Sequence, residues 1–212
     1  MTALSVQADW GGVQRAHESS QQIPVEIRRE HRFDKAEREQ LLDAVFGPGR
    51  FAKTSERLRE GRVPAEGLAF SAIDGDDQLV GTVRLWSVVV AGPVHSCLLL
   101  GPLAVAPHLR DRGIGAELMR HALREAKRLG HHAVLLVGDA AYYNRFGFSA
   151  ELTGALRMPG PYERDRLLGC ELVPGALQGA RGTIAALRLP LSRVSEIISG
   201  VGCDVNVMAQ PA

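Results

Sequence analysis

The segment LRDRGIGAELM, residues 109–119, sets Arg110 and Arg112 around Asp111, follows them with Gly113-Ile114-Gly115, and runs into a helical pattern. That order suits an anion. A helix N-terminus offers unpaired amides and a partial positive charge, glycines let backbone approach a ligand closely, and the two arginines add mobile charge. A pyrophosphate is the natural guest, because successive amides can bond oxygens of two linked phosphates at once. A tight turn with solvated arginines leaves the same trace in a sequence, so the loop needs its surroundings to be read.

Two nucleotide-binding patterns fit poorly. A Walker loop requires Gly-Lys-Ser/Thr at its end, which this segment lacks. A dinucleotide fingerprint requires a third glycine or alanine where Leu118 stands, although Asp139, at the end of the next strand, mimics the ribose-binding acid. A nicotinamide-dependent oxidoreductase is therefore a distant reading. His131-His132 are adjacent and seldom converge on one ion without further ligands, so a turn suits them better and no metal is expected. Cys97 lies in an apolar run with no base nearby in sequence and reads as a buried structural thiol.

The elements that must position this loop follow from periodicity. VEIRRE from Val25 alternates like a strand, and Asp34 opens DKAEREQLLDAVF, with Ala36, Leu41, Leu42, Val45 and Phe46 as a helical stripe. Residues 47–67 are irregular, with a short polar helix expected around residues 54–60, and can line a substrate entrance. GLAFSAI, QLVGTVRLWSVVV and HSCLLLGPLAV read as three strands; Asp74-Gly75-Asp76-Asp77 turns the first into the second, and the three form an antiparallel meander. From Gly113 onward Leu118, Met119, Ala122, Leu123, Ala126 and Leu129 recur at helical spacing, with Gly130 as the stop. AVLLVG then reads as a strand covered on both faces, which makes a βαβ unit with parallel strands. AAYYNRFGF is a short helix ending at Gly147, and LLGCELV and GTIAALRL are late strands after the loop MPGPYERDR. The pair Gly101-Pro102 predicts a bulge or ladder break, since proline cannot donate to a ladder and glycine weakens it.

A chain of 212 residues fits one domain with tails. Residues 1–23 have the composition of a flexible tail, residues 24–189 form the domain, and residues 190–212 are an extension of unassigned structure. The formal charge of +1, from 25 basic and 24 acidic residues, gives no field that argues for nucleic acid or a membrane as partner. Three scattered cysteines, Cys97, Cys170 and Cys203, indicate neither a disulfide framework nor a zinc site. With no apolar run of signal-peptide or membrane-spanning type, a cytoplasmic location is expected.

RxxGxG after an apolar strand and before an amphipathic helix resembles the acyl-CoA pyrophosphate loop of the GNAT superfamily of N-acetyltransferases, with Arg110, Gly113 and Gly115 as the matching residues. GPLAVAPHLRDRGIGAELM, AVLLVG and YYNRFGF stand in that family's order, and the likeness covers about residues 25–188, strongest over 101–148. The fold class it implies is α/β (α+β): a mixed, mostly antiparallel sheet with a central βαβ unit and a splayed parallel strand pair.

The resemblance implies acetyl-CoA as cosubstrate and an amine as acceptor, with the acetyl group moved by direct attack in a ternary complex. Cofactor contacts fall on Leu103, Ala104 and Val105, whose backbone would bond the pantetheine arm, and on Arg110, Asp111, Arg112, Gly113, Ile114 and Gly115. By position the Leu103 amide would polarise the thioester carbonyl, and Tyr143, matching Tyr-x-x-x-Gly-Phe with Gly147 and Phe148, would be the general acid beside the sulfur. Tyr142, a quarter-turn away, suits that role less well.

Many family members carry an asparagine where this chain reads Gly138-Asp139-Ala140; Asp139 takes a polar contact there or, more in keeping with its type, caps the short helix. His95 and Glu66 are weak candidates for a base, and an ordered water chain is the alternative. Arg50, Lys53 and Arg164 could recognise a carboxylate on the acceptor between residues 47–67 and the MPGPYERDR loop. A non-catalytic acyl-CoA-binding module on the same fold is the competing function, and a homodimer is a possible assembly.

Overall fold

The computed structural model describes residues 24–92 and 97–187. The expected N-terminal tail, the extension after residue 189 and the candidate base His95 lie outside the described residues.

β1 (Glu26–Arg29), β2 (Ala69–Ile73), β3 (Leu79–Ala91) and β4 (Cys97–Val105) form an antiparallel meander. Between β1 and β2 run α1 (Lys35–Phe46), entered through a 3-10 turn at Arg32–Asp34, and after it two 3-10 turns, Pro48–Ala52 and Thr54–Leu58. α2 (Ile114–Arg128) crosses from β4 to β5 (Ala133–Val137), which pairs parallel to β4. α3 (Ala140–Tyr143) follows, then β6 (Leu156–Arg157), β7 (Leu167–Glu171) antiparallel to β5, and β8 (Arg181–Ala186). β8 flanks the far end of β3, where Val88 faces Cys97 on one side and Ala186 on the other. The expected meander, crossover helix and parallel pair are all present.

The near-continuous apolar run of β5 has a direct reason. Val134 and Leu136 enter one core, with Leu98 and Leu100 of β4 and the helices α1 and α2, whereas Ala133 and Leu135 enter a second with Cys97, Leu99, Leu156 and Leu167. Alternate residues of a strand face opposite sides, so a strand buried on both must be apolar throughout. Leu118 and Met119 of α2 are fully buried in the first core, each contributing roughly 1.5–3 kcal/mol relative to exposure.

The stripe expected on α1 is corrected at one place. Leu41 and Leu42 are buried, but Ala36 is exposed and the buried residue of the preceding turn is Arg38. Arg38 meets Glu30 beyond the end of β1 and bonds Glu39 at 2.6 Å, while Arg84 of β3 bonds Glu30 at 2.6 Å from the other side. An arginine is buried where carboxylates from other elements receive it.

Among the described residues no helix is long and apolar enough to cross a membrane.

Candidate active site

The ladder between β3 and β4 breaks at Gly101-Pro102. Val83 faces Leu103 and Leu85 faces Leu100, so β4 advances one residue more than β3, and Gly101 adopts φ 129°. The Trp86 indole N–H donates to the Gly101 carbonyl at 2.7 Å, fixing the bulge. On the other flank, parallel pairing with β5 stops at Leu99 and Leu135, although both strands continue. The Ala106 amide donates to the Val80 carbonyl at 2.8 Å. Because a strand's polar groups alternate between its edges, Ala104 turns its groups to β3, and Leu103 and Val105 turn theirs to the side that β5 has left.

A cleft of about 670 Å³ occupies the opening. Leu103 and Val105 line it, whereas the Ala104 side chain is buried in the core. At one end lie Arg110, Asp111, Gly113, Ile114 and Gly115; Arg112 is exposed and is not among the lining residues. Asp111 has φ 63° and Gly113 φ 83°. Two left-handed residues so close curl the backbone at the start of α2, where the first amides of the helix have no intrahelical acceptor. Asp tolerates that conformation better than most residues with a Cβ, which gives Asp111 a backbone role in a loop where its charge is otherwise out of place. A Cβ on Gly113 would meet nothing within 4 Å, and one on Gly115 would stand 3.2 Å from the Tyr142 hydroxyl. The loop is open at Gly113 and packed against Tyr142 at Gly115.

The second wall is α3. Asp139 caps it, accepting from the Ala141 amide at 3.0 Å, as its residue type suggests. Tyr143 packs edge-on to Tyr142 at 4.9 Å and to Phe148 at 6.0 Å between ring centres. Burial, reinforced by Tyr142 and Asp139 and opposed by Arg166, pushes the Tyr143 hydroxyl up to about 12, so it is a proton-bearing group at neutral pH. Tyr142 also faces the cleft, with the Arg145 guanidinium 4.0 Å above its ring.

The far wall is built from the two 3-10 turns. Thr54 donates to the Pro161 carbonyl and Arg57 to that of Pro159 at 3.2 Å, so the entrance segment and the MPGPYERDR loop do meet. Arg50 and Lys53 line the cleft, Arg50 held by Glu39 at 2.5 Å and Asp43 at 2.8 Å, Lys53 over the Phe46 ring at 4.6 Å. Arg164 is corrected: it turns inward to the carbonyls of Leu156 and Thr153, at 2.5 and 2.9 Å, and lines no part of the cleft. Glu66 is exposed and likewise off the cleft. Residues not anticipated are Glu56, Arg59, Arg145 and Arg166. Each is a charged residue in a short turn or loop, and nothing in such a segment marks which charges turn inward.

Cys97 is buried, and burial pushes its thiol up to about 12, which suits a structural residue and not a nucleophile. Among the described residues no group of three or more His, Cys, Asp or Glu could hold a metal ion.

The site has known counterparts. The model of the Acetyltransferase (GNAT) family matches residues 30–148. The chain belongs to the GNAT family. Within it, this GNAT chain is 31% identical over 158 residues to the uncharacterized N-acetyltransferase YhbS of Escherichia coli strain K12, covering 74% of this chain and 93% of that one. The crystal structure of YhbS from Escherichia coli, solved in complex with CoA, superposes with a TM-score of 0.68 at 29% identity, covering 78% of this chain and 91% of that one. A GNAT family acetyltransferase from Brucella melitensis, solved with acetyl-CoA, gives a TM-score of 0.59 at 27% identity, covering 77% and 96%. The GNAT fold of this chain is thus shared with relatives that carry the cofactor.

Proposed function

We propose that the chain is an acetyl-CoA-dependent N-acetyltransferase acting by direct transfer in a ternary complex. The observation that carries this reading is the continuity of the cleft. The edge left open by β5 at Leu103 and Val105 leads straight to the left-handed loop at the start of α2, with Tyr143 on the facing wall. CoA has the matching order of parts, a dianionic pyrophosphate joined to an amide-bearing arm that ends in the reacting sulfur.

In this reading the pyrophosphate sits on the amides that open α2, with Arg110 at the rim, and the pantetheine amides extend the sheet along β4. The bulge at Gly101-Pro102 ends that pairing where the thioester begins. The Leu103 amide donates to the thioester oxygen as negative charge grows on it. The amine nitrogen bonds the carbonyl carbon, the carbon–sulfur bond breaks, the proton of the amine leaves to solvent, and the sulfur takes a proton from Tyr143, which water restores. Burial penalises thiolate and phenolate alike, so a raised tyrosine remains a competent partner for a sulfur held in the same cleft. The relatives solved with CoA and acetyl-CoA support the choice of cosubstrate.

Release of free thiol from acetyl-CoA, followed across a panel of amines, amino acids and peptides, tests the proposal. Turnover with an N-acetyl product is expected. Tight CoA binding without thiol release from any acceptor would leave a binding module instead.

A further inference from the structure

Arg59 is 8% exposed, yet it lines both the main cleft and a side cavity of about 340 Å³ that opens beyond Pro102. Its Nε donates to the Ser55 carbonyl at 3.2 Å, and its Nη2 to the Ser55 hydroxyl and Glu56 carboxylate, each at 3.0 Å. A guanidinium has five N–H donors. Nη1 meets no acceptor among the described residues; it lies 3.7 Å from where a Cβ on Gly101 would stand, at the bulge that ends β4 pairing. The other arginines nearby are engaged: Arg84 with Glu30 at 2.6 Å, Arg50 with Glu39 and Asp43, Arg62 with the Leu187 carbonyl at 2.6 Å. Burial pulls the Arg59 guanidinium below its ordinary value, Glu56 opposes this only in part, and Arg50 adds repulsion. A desolvated cation with one carboxylate and two open donors is a receptor for a second anion.

We infer that Arg59 and Glu56 read the acceptor as an amino carboxylate, Nη1 of Arg59 taking the carboxylate and Glu56 drawing the ammonium. This rests on the acetyltransferase reading, which puts the thioester at Gly101-Pro102 and leaves the side cavity for the acceptor. The two side chains stand three residues apart and in contact, so they present adjacent opposite charges. A free α-amino acid carries the complementary pair on neighbouring atoms. A neutral amine would leave Arg59 half-satisfied, and a polyamine would set a second cation against it. Arg59 is the specificity residue for the anionic group, while the bonds of Ser55 hold its fork in place.

The test compares the twenty α-amino acids with their α-amino carboxamides as acceptors. The amide lacks only the charge, and its amine is the easier to deprotonate, so intrinsic reactivity opposes the expected preference. The wild type should favour the acid by roughly ten- to a hundredfold in kcat/KM, the range of a charge-assisted hydrogen bond. Arg59→Gln should erase that preference through KM, with CoA affinity by titration unchanged, and Arg59→Lys should restore part of it. Equal use of acid and amide by the wild type would overturn the inference and leave acetyl transfer standing. So would an Arg59→Gln enzyme slowed equally on both, which would make the residue a stabiliser of the thioester oxygen. If no acceptor is turned over, calorimetry of N-acetyl amino acids and N-acetyl amino carboxamides on the CoA-loaded protein reads the same contact. Binding of the acids lost in Arg59→Gln supports the inference, and no difference refutes it.

Discussion

A Cβ on Gly138 would stand 2.2 Å from Cε2 of Tyr143 and 3.1 Å from Cδ1 of Leu136. Gly138 follows β5 and its amide donates to the Arg166 carbonyl at 2.9 Å, so the backbone there is tied from behind. The tyrosine ring has come as near to the strand as a hydrogen permits. Gly138→Ala must move the ring or the strand. It is expected to lose about 1–3 kcal/mol of stability, the usual range for overpacking, and to lower kcat more than it weakens CoA binding. Denaturant melts and steady-state kinetics on one preparation check both; unchanged kcat would separate the ring's position from the reaction.

Tyr143→Phe removes the hydroxyl and leaves the packing against Phe148 and Tyr142. Turnover should fall by roughly a hundredfold or more where chemistry limits the rate, as for loss of a general acid, with CoA affinity nearly unchanged. The pH profile gives a second readout. Because the hydroxyl is pushed up from 10.0 to about 12, wild-type activity should show no loss centred on pH 10. An alkaline limb there that vanishes in Tyr143→Phe would contradict the assignment of its proton.

Gly113→Asp separates stability from binding. The site has open space but φ 83°, so the cost to the fold is that of left-handed backbone, about 1–2 kcal/mol at most and less for Asp than for a bulkier residue. The carboxylate, in contrast, would stand where the pyrophosphate is proposed to lie. Calorimetric titration should show CoA affinity reduced by at least roughly tenfold, against a small shift in melting. Equal affinity would remove the loop from the binding site.

Asp34 joins three elements: it accepts from Arg28 at 2.7 and 2.9 Å, from the His31 amide at 2.9 Å and from the Ser71 hydroxyl at 2.8 Å. Burial alone would raise its pKa, but these bonds outweigh it and hold the carboxyl at about 2, below the ordinary 3.8. A depressed folded-state value means stability that is complete above about 3.8 and lost as pH falls through about 2. Urea midpoints measured down that range should drop, and Asp34→Asn should be less stable than wild type at neutral pH with a shallower decline in acid.

The sequence by itself determined the elements and the residues that line one end of the cleft. The two-sided burial of β5 is written in an unbroken apolar run, the amphipathic face of α2 in its spacing, and the parting of the strands in Gly101-Pro102, because each depends on local geometry that neighbouring residues impose. Even the cap by Asp139 was legible for that reason. Only the tertiary structure decided which charges face inward. Arg164 bonds backbone carbonyls, whereas Arg59 and Arg166 turn to the cleft; Arg38, and not Ala36, is buried on α1 because Glu30 awaits it. The left-handed backbone of Asp111, φ 63°, likewise exists only in the folded loop. A long charged side chain goes where distant elements place its partner, and that placement exists only once the sheet has assembled.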